Sequence, residues 1–411
     1  MITKPKGCYD LTGKEAEIYN QIANVFEAYA KTYNYKYIRT PVFESSELFK
    51  RSVGESSDIV QKETYDFKDR SDRELTLRPE GTAGIVRSYL ENKLYGVQPL
   101  VKNYYMETMY RYERPGLGRN REFTQFGIEA LGSDDALIDA EVISLAVNIL
   151  KELGINCTVK INNLGGPEDR TNYKNDLKKY LEPHINNLCE DCQKRYETNP
   201  LRILDCKVDN TSEILKNVPN ILNSQSSESE QRFKKIISYL DYLDIDYEID
   251  SKLVRGLDYY DYMVFELQDE TGLALGGGGR YNHLVNELGG PETPCVGFAL
   301  GIERLINALK DKDNRENSLD VYVMAINEEE KMQANILLQD LRLNGIISET
   351  DYNNRSLKAQ FKEADRQNAK ILIILNSEDL KLGLINVKDN ITKEEKKIPE
   401  DEIIDYILGV I

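Results

Sequence analysis

The chain has 411 residues, with 53 Lys and Arg against 70 Asp and Glu, a formal net charge of −17 and a pI near 4.9. That length suits two or three domains with ordinary cores, and the lack of any long apolar run argues against a membrane span and a secretory signal. The acidic balance argues against indiscriminate nucleic-acid binding but leaves room for a specific partner on a local patch, and six scattered cysteines point to a reduced, cytoplasmic setting.

Residues 14–33 read as an amphipathic helix, with Ile18, Ile22, Val25, Phe26, Tyr29 and Tyr33 on one face. A strand over 35–39 runs into Thr40-Pro41, where the proline requires a sheet edge or a break. A short strand at 74–78 leads through Pro79-Glu80-Gly81 to a helix starting near Thr82. Residues 100–113 and 122–130 read as paired strands around an arginine-rich loop. Asp134 or Asp135 caps a helix over 136–153 that ends at Gly154. After a strand at 157–163 the texture changes: residues 167–235 are helical, polar and rich in Asn, Lys and Glu, which reads as an inserted lobe. Strands and glycine loops resume over 253–305, with a last helix starting near Gly301, and residues 310–317 form a charged linker. Beyond it, strands at 320–326, 346–350, 370–375 and 384–388 alternate with helices at 328–343, 356–367 and 400–409. That alternation predicts a small α/β domain.

The chemistry concentrates in residues 111–129. Arg111, Arg114, Arg119 and Arg121 stand there with one acid, Glu113, and guanidinium forks match phosphate oxygens. The strand that follows puts Phe126 and Ile128 on one face and Gln125, Gly127 and Glu129 on the other. Gly127 is a side-chain gap where a small ligand is expected to lie against the backbone. With two histidines in the chain and no nucleophile elbow, a Ser-His-Asp or Cys-His hydrolase is excluded. Leu253-Val254-Arg255-Gly256-Leu257-Asp258-Tyr259-Tyr260 and Gly276-Gly277-Gly278-Gly279-Arg280-Tyr281 add an arginine, tyrosines and flexible backbone. Arg304 falls in the first turn of a helix, where it opposes the macrodipole unless an anion binds nearby. His184, Cys189, Cys192 and Cys206 offer one Cys-x-x-Cys and two further donors. No second Cys-x-x-Cys matches the first, so these are read as buried thiols and no metal site is assigned. Lys358, Lys362 and Arg366 recur every four residues as a basic stripe.

Taken in order, the helix ending in Thr40-Pro41, residues 111–129 and residues 297–304 resemble the three signature motifs of class II aminoacyl-tRNA synthetases. LVRGLDYY at 253–260 and GGGGRYN at 276–282 look like the two signatures that set histidyl-tRNA synthetases apart. LTLRPEGT at 75–82 and NPLRILDCK at 199–207 are similar to bacterial members. The resemblance implies an α+β chain: a mostly antiparallel catalytic sheet with flanking helices (1–166 and 236–317), a helical insertion (167–235) and a C-terminal α/β anticodon-binding domain (318–411). It implies ATP and Mg2+, L-histidine and tRNA(His) as partners, and a homodimer with no membrane association. Arg111 and Arg255 would be catalytic. Glu80, Thr82, Gln125, Glu129, Arg255, Tyr259, Tyr260 and Tyr281 would hold histidine. Arg111, Glu113, Arg119 and Arg304 would hold ATP, and Arg114, Arg121, Arg355, Lys358 and Lys362 would meet tRNA. The rival reading is a non-catalytic paralogue regulating histidine biosynthesis. Such proteins usually lack the last domain and part of the catalytic set, and this chain has both.

Overall fold

A computed structural model describes residues 1–54, 57, 59–116, 118–310 and 319–411. The linker reading at 310–317 therefore falls, from 311 onward, outside the described residues. The chain divides into two compact units, Met1–Lys312 and Asp313–Ile411. Among the described residues no helix is long and apolar enough to cross a membrane.

In the first unit, helix Gly13–Thr32 buries Ile18, Ile22, Phe26 and Ala30, four residues apart on one face. Phe26 stacks on Phe126 at 4.1 Å between ring centroids, so the helix covers the sheet face that carries Phe126 and Ile128. Gln125, Gly127 and Glu129 are thereby turned to the opposite face, because alternate strand residues point to opposite sides. The sheet has eight strands among the described residues. Six of them, Val101–Tyr110, Glu122–Leu131, Cys295–Gly301, Ala274–Arg280, Asp261–Gln268 and Thr158–Asn163, run antiparallel in that spatial order. Lys36–Tyr37 and Tyr247–Ile249 pair in parallel at the two edges. Pro41 follows the first of these edge strands, where a missing amide breaks no ladder.

The predicted strand at 100–113 stops its ladder at Tyr110. The Arg111 amide then donates to the Arg121 carbonyl at 2.9 Å, and the Tyr112 amide leaves the sheet for the Glu63 carbonyl at 2.7 Å. Helix Ala136–Glu152 is capped by Asp135, whose carboxylate accepts the Leu137 amide at 2.9 Å. The segment after Asn163 is helical, beginning with Pro167–Leu181. Its last helix, Ser227–Tyr242, places Phe233, Ile236 and Leu240 in the same core as helix Ala136–Glu152. The intervening short helices share a second core with Tyr105, Tyr259, Tyr260 and Tyr281, so the inserted segment backs the floor of the cleft described below.

A buried ion pair ties the first turn of this architecture together. Arg78 and Glu107, 5% and 6% exposed, pair with each other. Arg78 also donates to the Thr40 carbonyl at 2.9 Å, and Glu107 accepts the Thr40 amide at 3.1 Å. Glu107→Ala leaves a guanidinium buried without its counter-charge, and should lower unfolding stability by about 3–5 kcal/mol in urea titrations. A loss below about 1 kcal/mol would mean that water reaches Arg78.

Among the described residues the second unit carries a five-stranded sheet in the order Ser348–Thr350, Val321–Met324, Ile371–Ile374, Leu384–Asp389, Glu395–Pro399. Its first three strands are parallel and the last two antiparallel. Helices Glu328–Leu343, Leu357–Arg366 and Ile403–Val410 accompany it. The strand Glu395–Pro399 has no counterpart in the sequence reading. Its exposed, charged residues lack apolar alternation, and it forms by folding back on Leu384–Asp389.

Candidate active site

One cleft gathers most of the residues singled out from the sequence. Its lining includes Glu80, Thr82, Arg111, Glu113, Arg119, Gln125, Glu129, Arg255, Tyr259, Tyr260 and Arg304. Strand register explains how the acidic end is built. Glu129 lies opposite Gly297, where a Cβ would collide with the Glu129 carboxylate, so glycine opens the space this side chain occupies. The Glu129 carboxylate is 1% exposed, accepts the Thr82 hydroxyl at 2.7 Å and accepts the Tyr281 hydroxyl as well. Burial pushes its carboxyl up to about 8, against the hydrogen bonds that favour the anion. Glu80 accepts the amides of Thr82 and Ala83 at 2.7 and 2.9 Å, satisfying amides at the buried start of helix Thr82–Glu91 that have no partner within the helix. Burial raises the Glu80 carboxyl also. Among the described residues the Gln125 Oε1 atom is buried at this wall without a hydrogen-bond partner, an unused acceptor beside the cleft.

The gap expected at Gly127 is not open. Tyr105, opposite it across the ladder, packs its ring where a Gly127 side chain would stand and lies against Gly81 as well. Glycine here makes room for a neighbouring tyrosine, and that tyrosine becomes part of the cleft wall. The glycine run at 276–279 divides in the same manner. Gly276 and Gly277 line the cleft, and a Cβ on Gly277 would come within 3.0 Å of the Arg255 guanidinium. Gly278 and Gly279 do not line it, and all four glycines lie against neighbouring strand backbone where a Cβ would collide.

The opposite end of the cleft is cationic. Arg255 is anchored by an ion pair with Glu266. Arg304 donates to the carbonyls of Ala274 and Gly118 at 2.5 and 3.4 Å. Burial, followed by repulsion from Arg119 and Arg255, lowers its affinity for its proton. Guanidinium groups that repel one another in a part-buried cleft form a site prepared for a multiply charged anion. Arg111 donates to the Pro79 carbonyl at 2.8 Å, stands 5.3 Å from the Phe123 ring centroid and is 3.8 Å from Glu113.

Several sequence-selected residues sit elsewhere. Tyr281 supports Glu129 from outside the cleft lining. Arg114 is exposed, and Arg121 covers the Tyr112 ring at 3.7 Å. Arg355 pairs with Asp351 and Glu363, whereas Lys358 and Lys362 are exposed on helix Leu357–Arg366. The sequence reading did not select Tyr105, Phe123 or Glu303, which also line the cleft. Glu303 accepts the Tyr9 hydroxyl and the Thr124 amide, both at 2.7 Å, and the Arg121 amide donates to the Gly7 carbonyl at 2.8 Å. The N-terminal segment thus braces the start of the strand that follows the arginines, a contact across about 300 residues that no local pattern signals.

The family model for histidyl-tRNA synthetase matches residues 7–305, and the model for the anticodon binding domain matches residues 320–409. The chain is 48% identical over 414 aligned residues to the histidine–tRNA ligase of Bacillus cytotoxicus, covering 98% of each. It is similar to the apo S. aureus histidyl-tRNA synthetase structure, with a TM-score of 0.83 at 38% identity, covering 99% of this chain and 100% of the other. A structure from Bacillus halodurans, described as an ATP phosphoribosyltransferase regulatory subunit/histidyl-tRNA synthetase, shares the fold at a TM-score of 0.68 and 22% identity. It covers 91% of this chain and 98% of its own.

Proposed function

The chain belongs to the histidyl-tRNA synthetase family, and on that premise we propose that it activates L-histidine with ATP and transfers it to tRNA(His). The observation that carries this reading is the single cleft with Arg111, Arg119, Arg255 and Arg304 at one end and buried Glu80 and Glu129 at the other. The regulatory alternative is less supported, because full-length ligases are similar along nearly the whole chain and an anticodon binding domain is matched.

In the first half-reaction a histidine carboxylate oxygen attacks the α-phosphorus, the bond to the β-phosphate oxygen breaks, and pyrophosphate leaves. The carboxylate is already a nucleophile, so no protein base is required. Acceleration comes from positioning and from cationic groups fixed where charge accumulates. Arg111 would hold the α-phosphate and the carboxylate, Arg119 and Arg304 the outer phosphates, and Arg255 the reacting centre. Glu80, Thr82 and Gln125 would take the α-amino group, with the unpartnered Gln125 Oε1 as one waiting acceptor. Glu129 would accept an imidazole N–H, aided by Tyr259, Tyr260 and Tyr281. In the second half-reaction a hydroxyl at the tRNA 3′ end attacks the acyl carbon and AMP leaves. Mg2+ would enter with ATP, held chiefly by phosphate oxygens and neutralising the outer phosphates. Glu113, which stands among the arginines in the cleft lining, is the acid that would face that ion.

The same reading keeps 1–166 and 236–317 as catalytic body, 167–235 as insertion and 318–411 as anticodon-binding region, in a cytoplasmic homodimer. Edge strand Lys36–Tyr37 and the exposed rings of Tyr37, Phe43 and Phe67 support a second copy docking near the first motif. Arg114 and Arg121 would meet the tRNA acceptor end, and Arg355, Lys358 and Lys362 its anticodon arm. Histidine-dependent ATP–pyrophosphate exchange by the full chain tests the activity. Folded protein without exchange would overturn it. Lys358→Ala with Lys362→Ala should weaken tRNA charging by about tenfold and leave exchange unchanged, since exposed lysines serve phosphate contact. Equal loss in both assays would remove the tRNA role.

A further inference from the structure

Three cysteines and an aspartate of the inserted segment meet at a point that takes no part in the cleft. Cys189 precedes helix Glu190–Thr198, Cys192 lies in its first turn, and Cys206 and Asp209 follow Ile203. The ligand atoms of all four lie within 4.8 Å of one another. His184 is not among them and packs instead on the Tyr180 ring. The sequence offers one Cys-x-x-Cys, and the fold supplies its counterpart as Cys206-x-x-Asp209.

Two of the edges between these ligand atoms have the lengths that a metal cage requires. Cys189 Sγ is 3.7 Å from Cys206 Sγ, and Cys206 Sγ is 3.6 Å from Asp209 Oδ2. A tetrahedral zinc with bonds of about 2.3 Å to sulfur and about 2.0 Å to oxygen requires edges of about 3.8 and 3.5 Å. The two halves have the same local form. The Asp209 amide donates to Cys206 Sγ at 3.4 Å, and the Cys192 amide faces Cys189 Sγ, so each loop turns its i+3 amide onto the first sulfur. The Cys189 amide in turn donates to Asp209 Oδ2 at 3.0 Å, orienting the carboxylate. Cys192, Cys206 and Asp209 are 0%, 3% and 8% exposed, and the partners of Asp209 are the three thiols and that amide. Buried carboxylates normally answer to a cation or a metal, and three soft sulfur donors with one oxygen select zinc over magnesium or calcium.

We propose that Cys189, Cys192, Cys206 and Asp209 bind one zinc ion as a structural site of the inserted segment. The ion joins helix Glu190–Thr198 to the stretch after Ile203, and so holds Asn199 and Arg202 between its two halves. Asn199 donates to Asp258 Oδ1 at 2.9 Å and Arg202 to the Gly256 carbonyl at 2.6 Å, directly beside Arg255. The metal therefore stabilises the support of the cleft loop without touching its ligands.

The test uses the full chain, expressed with added zinc and purified under reducing conditions without chelator. Elemental analysis should give about one zinc per chain, and cobalt exchanged for zinc should give the visible absorption of a tetrahedral thiolate site. Cys206→Ser and Asp209→Asn should each weaken cobalt affinity by at least about tenfold, whereas Cys157→Ser leaves it unchanged. Folded wild type with neither bound zinc nor a cobalt spectrum overturns the proposal. So does an Asp209→Asn chain with unaltered cobalt spectrum and affinity.

Discussion

Arg255→Ala is expected to lower kcat for histidine-dependent ATP–pyrophosphate exchange by about 10²–10³-fold, the usual loss when one preorganised charge at a reacting centre is removed. The residue suits that role because its position is over-determined. Glu266 pairs with it, and Gly277 leaves room for the guanidinium above the strand. Arg119 and Arg304 share the same field, so the variant should still bind ATP, and KM for ATP should change less than kcat. Arg255→Lys should recover little, since an ammonium cannot span two oxygens in the guanidinium manner. Undiminished exchange in the alanine variant, with its fold verified, would remove Arg255 from the chemistry and leave the rest of the site intact.

Glu129→Gln carries the second large effect, raising KM for histidine by about 10²-fold, because the imidazole N–H loses the carboxyl that accepts it in a buried pocket. It also makes a pH-dependent prediction about stability. The Glu129 carboxyl moves from an ordinary 4.5 to about 8 in the folded chain, chiefly through burial. Between those values the folded state keeps a proton that the unfolded state has released. Stability contributed by this group therefore falls as pH rises from about 4.5 towards 8. Glutamine does not ionise, so melting temperatures of variant and wild type should shift in favour of the variant between pH 5 and pH 8. A difference that stays constant across that range would show that Glu129 titrates as an ordinary carboxyl.

Much of this arrangement is legible from local pattern. The spacing of Ile18, Ile22 and Phe26 specifies a helix with one buried face, and the alternation after Phe123 specifies which side of the strand bears Gln125 and Glu129. The arginine-rich loop is visible because charge of one sign is costly to concentrate in an acidic chain without a ligand. Trimmed strand ends at Tyr110 and the extra strand Glu395–Pro399 escaped, because hydrogen bonds to partners far along the chain decide where a ladder stops or starts.

The residue sequence by itself determined which groups are present and which face of each element they share: the arginines, the polar strand face, the Cys-x-x-Cys and the basic stripe. Those follow from periods of 3.6 and 2 residues, which are properties of the local backbone. Only the tertiary structure decided that Tyr105 fills the space beside Gly127, that Gly297 makes room for the Glu129 carboxylate, and that Asp209 rather than His184 completes the three cysteines. Each depends on cross-strand register or on loops folding back over many residues. A shift of one residue in register would put a different side chain in the same place.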